Sequence, residues 1–195
     1  MLAFLHVLLS VAQSKHTVVQ TANAPSGPGG AAQGIVDARG YLSTSIQYGV
    51  DPTTGVLVAG AAKQMRMAMA NTAAVFSAAG YELAGDATAC WIYGFNATTF
   101  GDISTEYYTF FSARNHPARN PTGATLALSG ALVAVKCRGF GTSGERISIP
   151  NFFASDFNAQ GLLVDDGTHL YTSAQIGADP LTGSLVSGGP VEETL

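Results

Sequence analysis

The chain has 195 residues, of which 47% are hydrophobic and 11% charged, with a formal net charge of −4. That apolar content supports a packed core and excludes a chain too polar to fold. The nine lysines and arginines are scattered, which excludes a broad basic field of the kind that binds nucleic acid. Two cysteines, Cys90 and Cys137, do not make a zinc site or a disulfide framework. Both lie in apolar runs and are expected as buried thiols.

Residues 1–15 are set apart as a leader. Leu2 to Ala12 is apolar but shorter than the ~20 residues that cross a bilayer. It has the length of a signal-peptide core, and Ser10-x-Ala12 is a small-x-small cleavage pattern, yet no Lys or Arg precedes it. A secretory or organellar leader and an N-terminus of other origin both stay open, and no membrane association is expected of the mature form. Asn96-Ala97-Thr98 is a formal glycosylation triplet.

Thr17-Val18-Val19 opens the folded part as a short strand. Asn23 to Ala32, rich in Pro, Gly and Ala, is a loop. Gln33 to Asp37 and Tyr41 to Ser45 are strands joined across Ala38-Arg39-Gly40, a hairpin-length link. Asp51-Pro52-Thr53-Thr54-Gly55 is turn chemistry, with Pro presetting φ and Gly taking the left-handed position. Ala61 to Ala79 is a helix: Met65, Ala68, Met69, Val75, Phe76 and Ala79 share one face, with Thr72 among them. Gly80 ends it. Its methionines fill core rather than hold a metal. Ala87 to Phe95 is a buried strand. Ser104 to Ala113 is a second helix, N-capped by Ser104, with Tyr107, Phe110 and Phe111 on its apolar face. Arg114 to Pro121 is a loop, and strands follow at Ala124 to Leu128 and Ala131 to Arg138. The order β-β-β-α-β-α-β-β is that of an α+β fold with two helices packed on one face of a mixed sheet.

The stretch from Thr44 to Val58 is written a second time from Thr172 to Val186: Thr-Ser-x-Gln-x-Gly-x-Asp-Pro-x-Thr-Gly-x-Leu-Val. The chain is therefore expected to hold one complete unit, residues 16–139, a linker at 140–146, and the opening strands of a second copy at 147–195. Strands are expected again at Ile147 to Pro150, Gly161 to Val164 and Leu170 to Ser173. About 50 residues without a covering helix rarely fold alone. The segment should then add strands to an exposed edge, pair with another chain, or stay poorly ordered.

Four pieces, in order and at matching spacing from about Lys15 to Gly139, resemble the RidA/YjgF family of reactive-intermediate imine deaminases. They are Thr44-Ser45-x-Gln47 with Asp51-Pro52-x-Thr54-Gly55, the helix ending Ala78-Ala79-Gly80, Tyr107-x-x-Phe110-Phe111 with His116-Pro117-Ala118-Arg119, and Gly130-Ala131-Leu132-Val133. The resemblance implies a homotrimer with outward helices, a central barrel of sheets, and ligand pockets between subunits. It implies hydrolysis of enamines or imines derived from amino acids to 2-oxo acids and ammonia, without a cofactor or metal. Arg119 stands where the family Arg grips the substrate carboxylate, a task its planar fork suits. Ser45 and Asn120 stand at neighbouring pocket positions. The resemblance also implies a cytoplasmic or organellar location, or a secreted one if residues 1–12 are a signal peptide.

Two departures weigh on the chemistry. Ala31 stands where the family usually has Tyr, and Ala134 where its deaminases carry a Glu that handles water or a proton. An alanine is neither acid nor base. The same residues therefore also suit a binding module that holds small carboxylates without turning them over.

Overall fold

The computed structural model describes residues 15–94, 96, 98–112, 116–141, 145–147, 160–165, 167–174, 179, 182 and 184. Residues 1–14 of the leader, the middle of the Asn96 triplet, residues 142–144 of the linker, residues 148–159 with most of the strand expected at Ile147 to Pro150, and most of the second copy beyond residue 174 lie outside them.

Seven strands form a mixed sheet: β1 (Thr17–Val19), β2 (Gly34–Val36), β3 (Tyr41–Thr44), β4 (Gln47–Tyr48), β5 (Ala87–Tyr93), β6 (Ala118–Thr122) and β7 (Ala134–Phe140). Their order is β1-β2-β3-β7-β5-β6, with β4 also paired to β7. All pairs are antiparallel except β5 with β6. That parallel pair is joined by a crossover through α3 (Phe100–Tyr108), as parallel neighbours require. The long helix α1 (Ala61–Ala78) packs on β3, β4 and β7 and against α3, and a short turn of helix, α2 (Leu83–Asp86), leads into β5.

The periodicity of α1 is that of its buried face. Met65, Ala68, Met69, Val75 and Phe76 are fully enclosed. Thr72 joins them by donating its hydroxyl to Ala68 O at 2.8 Å. Two buried polar residues of this helix carry tertiary bonds: Gln64 spans Gly130 O and Leu132 N, and Asn71 donates to Tyr48 O and Val50 O. Gly139 lets β7 come close to the helix, because a Cβ there would lie 2.5 Å from the Phe76 ring.

Three expectations are corrected. Ala124 to Leu128 is not a strand; β6 runs through the segment expected as a loop, Arg114 to Pro121. The second helix starts at Phe100, so Ser104 is not its N-cap but a buried residue inside it. Cys90 and Cys137 are not free thiols but a disulfide. They are direct cross-strand neighbours on β5 and β7, with Cα atoms 4.2 Å apart. Antiparallel pairing brings such residues close enough to bridge.

Strands β8 (Glu145–Ile147), β9 (Gly161–Val164) and β10 (His169–Thr172) form a separate antiparallel sheet in the order β10-β9-β8. It meets the larger sheet at Tyr41, whose hydroxyl bonds His169 Nδ1 at 2.9 Å while its ring stacks on Phe140. Desolvation, and next the Asp165 carboxylate, push the Tyr41 phenol up to about 12.

The disulfide closes a loop across a sequence separation of 47. By the entropy of closing such a loop it stabilises the chain by about 4 kcal/mol. Denaturant titration of the Cys90→Ala/Cys137→Ala protein should show a loss of that size; unchanged stability would mean the bridge does not form.

Candidate functional site

Strand β6 is the outer strand of the larger sheet, aligned with β5 so that Cys90 neighbours Arg119 and Trp91 neighbours Asn120. Side chains alternate along a strand, so Arg119 and Asn120 point to opposite faces. Arg119 turns toward α3 and is 5% exposed. Its Nη1 donates to the Tyr108 hydroxyl at 2.9 Å and its Nη2 to Ser104 Oγ at 2.8 Å. The guanidinium carbon lies 5.2 Å from the ring centres of both Tyr107 and Tyr108 and 5.7 Å from that of Phe100. These aromatic faces favour a cation, and the hydroxyls take two of its five N–H groups.

Among the described residues the guanidinium has no counter-charge. The ion pairs among the described residues are Arg66 with Glu106 and His169 with Asp165, and Arg119 is in neither. Its Nε is buried and bonds to nothing among the described residues. A buried cation without a carboxylate is costly, and a bound anion removes the cost. Tyr107 is fully buried beside it, and its hydroxyl too lacks a partner among the described residues. Burial pushes the Tyr107 phenol far above its usual value, partly offset by the Arg119 charge, so the hydroxyl stays neutral and able to donate.

The remaining sequence-derived site residues are not gathered at the guanidinium. Asn120 faces the smaller sheet and donates to Thr172 O at 3.4 Å. Ser45 follows β3, donates its hydroxyl to Ala32 O and bonds Gln33 O through its N–H. β7 and β5 separate β3 from β6, roughly 14 Å at the usual strand spacing. Ala31 is exposed and Ala134 fully buried. The serine that does reach Arg119 is Ser173, whose Oγ accepts the Arg119 backbone N–H at 2.9 Å, while Ala174 N donates to Arg119 O at 3.0 Å.

Ser104, Tyr107 and Tyr108 are site residues that the sequence reading assigned to a cap, to core, or to nothing. Their three- and four-residue spacing on one helix was the available signal, since it places them on one face.

The sheet order and the helices on one face define a mixed α+β fold shared with solved Rid-type proteins. A protein of unknown function of the conserved Rid family from Yersinia pestis superposes with a TM-score of 0.60 at 28% identity, over 65% of this chain and 99% of its own. The YjgF gene product of E. coli gives 0.58 at 28% identity, over 64% and 98%. No protein-family model matches the chain. The 2-iminobutanoate/2-iminopropanoate deaminase of Salmonella typhimurium is 33% identical over 104 residues, covering 52% of this chain and 80% of the relative. A RutC family protein from Pasteurella multocida is also 33% identical, over 52% and 77%. The chain belongs to the RidA/YjgF family.

Replacing Ser104 by Ala strands a buried guanidinium N–H and should cost about 1–3 kcal/mol. Urea unfolding of the full chain measures this, and a change below the error of the method would mean that the Arg119–Ser104 bond is not formed.

Proposed function

We propose that this protein takes small 2-imino and 2-oxo carboxylates at Arg119 and hydrolyses the imines. The observation that carries the reading is the buried guanidinium with donors to spare and no carboxylate partner among the described residues. A planar carboxylate can take two of those N–H groups side by side. In the reaction, water adds to the imine carbon, the nitrogen gains protons, and the C–N bond breaks to leave a 2-oxo acid and ammonia. Support for the reaction class comes from relatives that are named imine deaminases. The positive charge of Arg119 fixes the substrate by its carboxylate, and the neutral Tyr107 hydroxyl offers a donor beside it. Water is the only other reactant.

A second reading is favoured by Ala134. It is fully enclosed where family deaminases carry a Glu, and no carboxyl group bonds to Arg119 among the described residues. On this reading the site binds small carboxylates and releases them unchanged. Lining roles for Ser45 and Asn120 require a second surface, because within one chain neither side chain bonds to the guanidinium. In the homotrimer that the family resemblance implies, that surface would come from another copy.

Freshly generated 2-iminobutanoate, added to the full chain, should lose ammonia faster than in buffer. Arg119→Ala should lower kcat/KM about 10- to 150-fold, the value of bonds to a charged group. A rate equal to buffer, with benzoate binding that disappears in Arg119→Ala, would replace hydrolysis by binding alone. No binding at all would remove both readings.

A further inference from the structure

The loop that carries the chain from β5 into α3 offers solvent an amide nitrogen with no internal task. Gly94 turns the backbone out of β5. Its φ is 83°, and a Cβ there would lie 2.5 Å from Leu132 O, so the turn needs glycine. Asn96 and Thr98 follow, and both are exposed. Asn96 Oδ1 accepts the Thr98 N–H at 3.0 Å and the Thr98 hydroxyl at 2.7 Å. It also accepts the Thr99 N–H and the Thr99 hydroxyl, each at 3.1 Å. Thr99 is the residue that precedes α3, so the carbonyl half of the Asn96 amide shapes the entry to the helix. The nitrogen half does nothing of the kind: among the described residues Asn96 Nδ2 donates to no acceptor. In Asn71, by contrast, the same nitrogen is committed to Tyr48 O and Val50 O.

Asn96-Ala97-Thr98 has the form of an acceptor for N-linked sugar, with a middle residue other than Pro. Such a triplet carries sugar only in a chain that enters a secretory compartment, and a second observation bears on that. Cys90 and Cys137 are the two cysteines of the chain, both are fully enclosed, and they are bonded to each other. A bridge sealed between two central strands is structural. Structural bridges form and persist in oxidising compartments and are rare where thiols are kept reduced. The apolar stretch Leu2 to Ala12, with the length of a signal-peptide core, agrees with the same route.

We propose that the chain matures in an oxidising secretory compartment and carries an N-linked glycan on Asn96. The sugar donor is a glycosyl diphosphate lipid of that compartment's membrane. Asn96 Nδ2 bonds to the anomeric carbon of the sugar. The bond from that carbon to the diphosphate oxygen breaks, the lipid diphosphate leaves with the electron pair, and Nδ2 gives up one proton. No group is oxidised or reduced. The product is still an amide: Oδ1 keeps its four bonds at the start of α3, and Nδ2 keeps one N–H. The folded chain can therefore bear the sugar without losing a hydrogen bond. The glycan stands on exposed loop, and the proposal is independent of what Arg119 binds.

The test expresses the full chain in a eukaryotic cell with its own first fifteen residues and no added signal. Mass spectrometry is run before and after an amidase that cuts between asparagine and sugar. Alkylation without reductant reports the state of Cys90 and Cys137. The secreted chain should be heavier than its polypeptide, lose that excess to the amidase, and be deamidated at position 96. Asn96→Gln and Thr98→Ala should lose the whole excess, whereas Thr98→Ser, which keeps the hydroxyl, should retain it. The bridge should be closed in all four proteins, which shows that no variant has lost its fold. A native chain with a closed bridge and an unmodified Asn96 overturns the glycan. Free thiols in the freshly isolated native chain overturn the compartment. An excess that persists in Asn96→Gln overturns the site. None of these readouts uses a carboxylate ligand or Arg119, so their failure is separate from failure of the binding proposal.

Discussion

A guanidinium buried at the edge of a sheet, with no carboxylate to balance it among the described residues, is the constraint around which the structure is arranged. α3 must place two hydroxyls and three aromatic faces around Arg119, which fixes the helix against β6. β6 must lie parallel to β5, which fixes the crossover through α3. The outward side of the same residue must be covered, and the segment at Ser173 and Ala174 covers it. One residue thus joins the helical layer, the sheet edge and the C-terminal segment. Hydroxyl groups and π faces soften the cost of burial but do not cancel a charge.

The centre of the sheet is held by different means. β7 lies between β3 and β5, bridges to β5 through Cys90 and Cys137, and accepts α1 at Gly139. This middle of the sheet also carries Ala134. Ala134 is fully enclosed there and is neither acid nor base.

Much of this was legible in the residues. The apolar stripe from Met65 to Phe76 announced α1, and the alternation at Tyr41 to Thr44 announced β3. β6 was hidden because Pro117 and Pro121 flank Arg119 and look like loop punctuation. An edge strand tolerates Pro121, whose missing N–H breaks no ladder on an open side. Ala124 to Leu128 alternates like a strand, but β7 already has neighbours on both sides and offers no partner. Ser104 looked like a cap because Gly101 precedes it; a distant cation claims its hydroxyl instead. The Cys90–Cys137 bridge depends on strand register across 47 residues, which no local pattern encodes. The doubled Thr-Ser-x-Gln segment was plain in the sequence, but where its second copy would sit was decided by the open edge of β6.

The most direct measurement follows the Nε–H resonance of Arg119 by 15N–1H NMR while 2-oxobutanoate is added to the full chain. The group is buried and bonds to nothing among the described residues, so a bound carboxylate should shift that one arginine signal markedly and to saturation, with the other arginines nearly still. A signal that stays in place through saturating ligand, or a shift spread evenly over all arginines, would contradict the assignment of Arg119 as the carboxylate-binding group.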